Sequence, residues 1–218
     1  MKILTISASP RKESGNTFGL LEEVLSILPE EGFRVENIHL CDLKIEFCRD
    51  CEVCHKKILL CPIKDDAHLL IEKMIESKGI IFSSPVYINH ITGYLKTFLD
   101  RTSHFIHCQR LLGKYIAAVA TSGGGSHEMV PEYIKHYALI CGAQYVGGVS
   151  TTVPVTEEVK VKARNLGKDF VAAITMRKEF SDQMMAIRDW REYFKKIIVG
   201  RKDEWPGEYQ YWEERGWL

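Results

Sequence analysis

The stretch "KILTISASPRKESGNT", residues 2–17, contains the two patterns from which the fold can be predicted. Its first six residues form a β-branched, mostly apolar run that is typical of a buried strand, and a polar loop follows at residues 8–17. Apolar side chains then recur at helical spacing, at Leu20, Leu21, Val24, Leu25 and Leu28. The sequence therefore predicts a strand, a loop and a helix that ends near Pro29 and Gly32.

The same alternation continues along the chain. Short apolar or alternating runs predict further strands, at residues 33–40, 79–84, 115–121 and 143–150. Amphipathic patterns predict helices, at residues 65–77, from residue 93, up to residue 139, at 155–179 and at 184–199. Strands that alternate with helices imply a parallel sheet covered on both faces. We expect an α/β fold with a flavodoxin-like, doubly wound five-stranded parallel sheet of order 2-1-3-4-5.

Composition argues against several classes of partner. The 218 residues include 29 basic and 29 acidic side chains, so the formal net charge of zero predicts neither nucleic-acid nor membrane binding. The N-terminal apolar run is much too short for a signal peptide or a membrane span, and we therefore expect a cytoplasmic protein. Thiols stay reduced in that compartment, so clustered cysteines indicate metal or redox chemistry more than disulfides.

Three loops are expected to meet where the first and third strands part, which is where such sheets bind ligands. The first loop offers hydroxyl, amide and guanidinium groups before a helix N-terminus, and these groups favour a phosphate. They belong to Ser9, Arg11, Ser14, Asn16 and Thr17. Neither a P-loop nor a dinucleotide motif is present, so a mononucleotide fits better. The loops "SSPVYINH" and "TSGGGSHE" can flank a flat ring with Tyr87 and with glycines. Taken singly, Ser14 or Asn16 could simply cap the helix and Tyr87 could be a core residue.

Four of the seven cysteines, Cys48, Cys51, Cys54 and Cys61, lie in the stretch "CRDCEVCHKKILLC". The spacing C-x2-C-x2-C-x6-C, with a proline after the last cysteine, favours ligation of one [4Fe-4S] cluster. Zinc sites usually have two separated pairs of ligands, so zinc is the weaker alternative, together with uncoordinated or redox-active thiols. His55 is a possible zinc ligand, but for a histidine next to Cys54 we expect exposure to solvent or a local hydrogen bond.

The three loop motifs together resemble the NADPH-dependent FMN reductase family over about residues 1–150. The cysteine motif makes the chain similar to the iron-sulfur flavoproteins, a branch of that family. The resemblance implies an FMN whose phosphate lies on the first loop, and a [4Fe-4S] cluster that exchanges electrons with FMN within an oligomer. The isoalloxazine ring would then lie between Pro85, Val86, Tyr87, Ile88 and Asn89 on one side and Thr121, Ser122, Gly123, Gly124 and Gly125 on the other.

The C-terminal stretch "DEWPGEYQYWEERGWL" contains three of the four tryptophans in a segment too short for a core of its own. These rings should cover a neighbouring surface, either of the same subunit or of a partner in a homodimer or homotetramer. We therefore expect a flavodoxin-like FMN-binding domain at residues 1–180, with a cluster loop at 41–65. A C-terminal helix and aromatic tail would follow at 181–218.

The sequence favours an FMN-dependent oxidoreductase that transfers electrons between FMN and a [4Fe-4S] cluster. No side chain is assigned as an acid or base, because the cofactors supply the chemistry. A ferredoxin-like partner or NAD(P)H is compatible with this interpretation. The first alternative is an NAD(P)H-dependent FMN or quinone-type reductase without a functional cluster. The second is a cysteine-based redox-sensing interaction protein.

Overall fold

One parallel sheet carries the fold in the computed structural model, which describes residues 1–28 and 32–218. Its strands are β1 (Lys2–Ser7), β2 (Arg34–His39), β3 (Gly79–Pro85), β4 (Tyr115–Ser122) and β5 (Gln144–Thr152). Their order, β2-β1-β3-β4-β5, confirms the predicted flavodoxin-like arrangement. Each predicted strand is present. The central strands were predictable because they are buried on both faces and therefore consist of continuous apolar runs.

The described helices follow the strands in the predicted alternation. They are α1 (Asn16–Leu25), α2 (Val53–Lys56), α3 (Ala67–Glu76), α4 (Gly93–Asp100), α5 (Ser103–Cys108), α6 (Met129–Ile140), α7 (Glu157–Met176), α8 (Ser181–Gly200) and α9 (Pro206–Glu214). The first helix ends at Leu25, earlier than expected, and the predicted stop at Pro29 lies outside the described residues. The helical segment from Gly93 is divided between α4 and α5, so Arg101 and Thr102 lie at a corner between two helices.

Alternate side chains of the central strands enter separate cores on the two faces of the sheet. Leu4 and Phe82 pack with α3, α4 and α6 on one face, whereas Ile3 and Ile81 pack with α1 and α7 on the other. Because both faces are covered, a ligand can reach the sheet at the loops that follow the carboxyl ends of the first and third strands.

The aromatic tail packs within its own chain. Trp205 and Trp212 join Phe194 and Ile198 of α8 and Cys108 of α5 in a third apolar cluster. Trp205 and Trp212 are thereby buried within the chain, and a contact of the tail with a partner subunit stays a prediction. The predicted boundary at residue 180 falls between α7 and α8, and the division into two domains stays a prediction. No described helix is both long and apolar enough to cross a membrane.

Candidate functional site

The strand register brings the three predicted loops side by side at one edge of the sheet. Ser7 of β1 pairs with Ser83 of β3, and Pro85 pairs with Thr121 of β4. The buried hydroxyls of Thr17 and Thr121 then join the first loop to the third by a 2.6 Å hydrogen bond. The backbone N–H of Val86 donates to the carbonyl of Thr121 at 2.9 Å and fixes the second loop against the third. These bonds form a single cleft from sequence segments about a hundred residues apart.

The first loop has unused donors where the helix α1 begins. Within residues 1–28 and 32–218, the backbone N–H groups of Asn16 and Thr17 have no backbone acceptor, and Arg11 has no carboxylate within salt-bridge distance. Ser9 is buried, and its hydroxyl accepts from the backbone N–H of Arg11 at 3.3 Å. A Cβ added at Gly15 would lie 2.8 Å from the Ser9 hydroxyl, so only glycine leaves this concave turn open. Free N–H groups, a helix N-terminus and an unpaired guanidinium fit a phosphate group.

The second loop makes a tight turn that projects beyond the cleft. Tyr87 and His90 exchange both backbone hydrogen bonds, and the residues between them, Ile88 and Asn89, have positive φ angles of 47° and 60°. Tyr87 is half exposed at the cleft, whereas the side chain of Ile88 is 97% exposed at the tip. A β-branched residue rarely adopts this backbone conformation, so the turn is held by the bonds at its base.

The third loop is shaped by one serine. The hydroxyl of Ser122 donates to the carbonyl of Gly125 at 2.8 Å and accepts from the backbone N–H of Gly124 at 3.1 Å. Gly125 has a positive φ of 62°, which a glycine adopts without strain. The loop therefore presents main chain to the cleft with little side-chain bulk.

Most of the predicted flavin residues line this common cleft. They are Ser9, Arg11, Asn16, Thr17, Pro85, Val86, Tyr87, Thr121, Ser122 and Gly123. The remaining predicted residues, Ser14, Ile88, Asn89, Gly124 and Gly125, belong to the same loops but do not line it. Ser14 is exposed and its hydroxyl donates to the carbonyl of Arg11 at 2.6 Å, so it shapes the loop. Gly15 and Val153 line the cleft and were not predicted. The assignment of these residues to FMN stays a prediction.

All four cysteines of the motif line one cavity beside α2, although their own exposure differs. Cys48 and Cys51 are exposed, whereas Cys54 and Cys61 are half-buried. Burial raises the pKa of the Cys54 thiol to about 11. The loop bends around the cavity through three non-glycine residues with positive φ, Asp50, Glu52 and Leu59.

The cysteine sulfurs do not converge on one point. Among the described residues, one group of three or more candidate ligand atoms lies within 4.8 Å of one another, and it contains no cysteine. Four thiolates around a tetrahedral zinc ion with bonds of about 2.3 Å would be separated by only about 3.8 Å. The donor set of four thiols around one shared cavity fits an iron-sulfur cluster.

A buried arginine supports one of the cysteines. The guanidinium of Arg101 donates from Nη1 and Nη2 to both carboxylate oxygens of Asp65, at 2.5 and 3.2 Å, and from Nη1 to the carbonyl of Glu46 at 2.8 Å. Nη2 also lies 3.2 Å from Sγ of Cys61 and donates to it. Burial opposes the charge of Arg101, but the hydrogen bonds with Asp65 and Cys61 outweigh burial and raise its pKa. A fixed positive charge thus contacts a cysteine sulfur from the corner between α4 and α5.

Two polar residues at the start of α5 also reach the cysteine cavity. The hydroxyl of Ser103 lies 3.7 Å from Sγ of Cys54. The ring of His104 lines the cavity and is only 2% exposed, yet neither of its nitrogens has a hydrogen-bond partner in the described part of the chain. Burial lowers the pKa of His104 to about 4, so the ring is neutral near pH 7 and carries one N–H donor. The sequence motif gave no indication of Arg101 or His104.

The C-terminal helix reaches the cysteine loop through a buried carboxylate. Glu208 accepts from Nδ1 of His55 at 2.7 Å and from Nδ1 of His107 at 3.1 Å, and these three residues form the group of converging ligand atoms. Burial alone would raise the pKa of Glu208, but hydrogen bonds from His107 and His55 outweigh burial and lower it. Trp205 stacks on the His55 ring with centroids 4.5 Å apart.

The expectation for His55 was therefore wrong. It is buried and bonds a residue 153 positions away, because the aromatic tail folds over the loop and removes it from solvent.

Comparison with known proteins shows the family of this chain. A family model described as NADPH-dependent FMN reductase matches residues 1–157. An iron-sulfur flavoprotein of Archaeoglobus fulgidus is 31% identical to this chain, and the similarity covers 100% of each. An iron-sulfur flavoprotein of Methanocaldococcus jannaschii is 32% identical over 82% of this chain and 100% of its own. Among solved structures, a flavone reductase superposes with a TM-score of 0.63 at 24% identity, over 80% of this chain and 63% of the other, which shows the fold alone. The chain belongs to the NADPH-dependent FMN reductase family and, within it, to the iron-sulfur flavoproteins.

Proposed function

We propose that this chain is an electron-transfer oxidoreductase that binds FMN in the cleft beyond β1, β3 and β4. A [4Fe-4S] cluster would be held by Cys48, Cys51, Cys54 and Cys61. The observation that carries the proposal is the arrangement of all four cysteines around one cavity, with the charged Arg101 donating to one of their sulfurs. When bound, FMN exchanges one or two electrons and the cluster exchanges one.

The residues of the flavin cleft would bind and orient FMN without acting as acids or bases. Arg11 and the free N–H groups of Asn16 and Thr17 would hold the phosphate by charge-assisted hydrogen bonds. The half-exposed Tyr87 would cover one face of the ring and exclude water from it. Main-chain groups of the second and third loops would contact the edge of the ring. The Thr17–Thr121 hydrogen bond would keep the two ends of the cleft at a fixed separation.

The cysteine loop would orient its sulfurs through contacts with distant segments. Cys54 lies on α2, which the tail covers through His55 and Glu208. Cys61 is fixed by the guanidinium of Arg101, whose own position is set by Asp65. The positive charge also offsets part of the negative charge that four thiolates would bring into a partly buried site.

We further propose that the chain works as a homodimer or homotetramer in the cytoplasm. An apolar groove is lined by Leu43, Ile45, Phe47, Tyr87 and Tyr94, and it shares Tyr87 with the flavin cleft. Phe47 directly precedes Cys48 and is 76% exposed, which is costly for a large apolar side chain in water. A second copy seated on this groove would shield Phe47 and lie beside both cofactor sites. NAD(P)H or a ferredoxin-like protein would be the electron donor or acceptor.

The first experiment is anaerobic purification followed by iron, sulfide, zinc and FMN analysis, with visible spectra before and after dithionite. About four iron and four sulfide per chain, together with flavin bands that bleach, are expected. Flavin without iron in protein never exposed to air would contradict the cluster assignment.

Two cysteine variants then test which residues hold iron. Cys51→Ser should lose iron and keep FMN. Cys41→Ser should keep both, because Cys41 lies outside the four-cysteine cavity. Loss of both cofactors from Cys51→Ser would contradict the assignment of two separate sites, and retention of all iron would exclude Cys51 as a ligand.

A further inference from the structure

Two buried side chains that carry nitrogen atoms line the cysteine cavity, and neither belongs to the cysteine motif. Arg101 and His104 are 7% and 2% exposed, and both line the cavity with the four cysteines. They flank the corner between α4 and α5, forty or more residues after Cys61 in the chain. The backbone of both residues therefore lies at the junction of α4 and α5 and not on the cysteine loop.

His104 lacks the contacts that a purely structural histidine would have. Most buried polar side chains in folded proteins have a hydrogen-bond partner, because an unpaired one costs about 1 to 3 kcal/mol. Both ring nitrogens of His104 are buried and unpartnered among the described residues, although the ring packs edge-on to Phe105. The cavity that the cysteines line is the place where a partner for its N–H can lie.

Arg101 already donates a hydrogen bond to one cysteine sulfur at this site. Its Nη2 donates to Cys61 Sγ at 3.2 Å, and bidentate bonding to Asp65 prevents the guanidinium from turning away. A hydrogen-bond donor or a positive charge beside a sulfur stabilises the more negative of two redox states. Adding one electron to a cluster adds one unit of negative charge at those sulfurs and neither makes nor breaks a bond.

We propose that Arg101 and His104 are positioning residues that raise the reduction potential of the cysteine-bound cluster by donating hydrogen bonds to its sulfurs. The inference rests on the proposed function, since it concerns the cluster assigned to Cys48, Cys51, Cys54 and Cys61. It adds the direction in which the chain tunes that cluster and the two side chains that do so.

The test is an anaerobic redox titration of His104→Phe, followed by electron paramagnetic resonance of the reduced cluster. Phenylalanine keeps a ring of similar size and removes both nitrogens. At a fixed solution potential near the midpoint, the reduced-to-oxidised ratio should fall about tenfold, which is about 59 mV for a one-electron couple. His136→Phe is the matched control, because His136 is exposed on α6 and does not line the cavity, and it should leave the ratio unchanged.

A second measurement separates tuning from a role in folding. In iron-free protein, His104→Phe should unfold at the same temperature as the wild type or a higher one, because it removes two unpartnered buried nitrogens. Unchanged potential in His104→Phe with a full cluster would overturn the assignment of His104. A lower melting temperature of iron-free His104→Phe would also overturn it, because a loosened cysteine loop would then explain the change in reduction potential.

Arg101→Lys completes the test, since it keeps the charge but removes the planar fork that reaches Cys61 and Asp65 together. The reduced-to-oxidised ratio should fall, and a wild-type ratio would overturn the assignment of Arg101. Absence of four iron and four sulfide from the wild type itself would refute the proposed function instead, so the two failures are distinguishable.

Discussion

Replacing Glu208 by glutamine tests how the tail stabilises the cysteine loop. The carboxylate is fully buried and accepts one hydrogen bond from each of two imidazoles, so both His55 and His107 carry their proton on Nδ1. A glutamine offers one acceptor and one donor, and its donor would face an Nδ1–H unless one imidazole changes tautomer. Two charge-assisted bonds would then be replaced by, at best, two neutral ones.

The magnitude follows from those two bonds. A hydrogen bond to a charged group contributes about 1.5 to 3 kcal/mol and a neutral one about 0.5 to 1.5, so Glu208→Gln should lower the free energy of unfolding by about 2 to 3 kcal/mol. For a chain of this size, that change corresponds to a fall of about 4 to 12 °C in melting temperature. Circular dichroism of the iron-free protein measures the fall. Hydrogen exchange of peptides from residues 48–61 should also become faster.

The control is Glu213→Gln, the same chemical change on the exposed face of the same helix. It should melt within about 2 °C of the wild type, because surface substitutions rarely change stability by more than about 0.5 kcal/mol. Equal melting temperatures for the two variants would refute the reasoning. So would a lower melting temperature of Glu208→Gln with unchanged exchange at residues 48–61, because the stabilisation would then lie elsewhere.

Three further predictions concern the two sites. A Cβ at Gly207 would lie 2.5 Å from a backbone oxygen of the cysteine loop. Gly207→Ala should therefore lose iron and keep FMN, as measured by metal and flavin analysis. Gly200 has open space around it, so Gly200→Ala should keep both. Gly15→Ala places a Cβ 2.8 Å from a serine hydroxyl of the phosphate loop, and it should weaken FMN binding about tenfold in a fluorescence titration. Gly19 lies in α1 with open space around it, so Gly19→Ala should leave FMN binding unchanged. Because burial raises the pKa of Cys54 to about 11, its alkylation rate in iron-free protein should still rise between pH 9 and 11 by mass spectrometry, and a plateau below pH 9 would contradict this.

The fold was predictable because its signals are local. The strands β1, β3 and β4 are buried almost throughout, and each is a continuous run of apolar and small residues bounded by polar loops. The edge strand β2 is half exposed, but its alternating pattern still gave its position. The corner at Arg101 and Thr102 was not predicted, since the apolar spacing continues through it. The Thr102 hydroxyl donates to the carbonyl of Leu99 and accepts from the hydroxyl of Tyr137, which is a tertiary contact that the local sequence does not reveal.

The residues of the candidate sites were likewise predictable only where their signal is local. The cysteines and the three loops are short motifs, so their residue types and spacing indicate their chemistry without the rest of the chain. Arg101, His104 and Glu208 are single residues that reach the cysteine loop from far along the chain, and no spacing relates them to it. One signal was available for Glu208, which is the lone acid inside the aromatic run of the tail, "WPGEYQYW". A charged residue surrounded by rings that must be buried needs a partner, and two histidines supply it.

The two sites differ in how their residues are anchored, and this has a consequence for their stability. The flavin loops begin at the ends of strands whose side chains fill the two main cores, so they can open only at the expense of the sheet. The cysteine loop has one short helix, α2, and is contacted by side chains of residues 101–104 and of the tail. Segments with few buried apolar contacts open at a lower free energy than the core does. We therefore expect the chain to release or take up a cluster without unfolding its sheet. The tail lies outside residues 1–157, which match the reductase family, and it contacts the cysteine loop through Glu208 and His55.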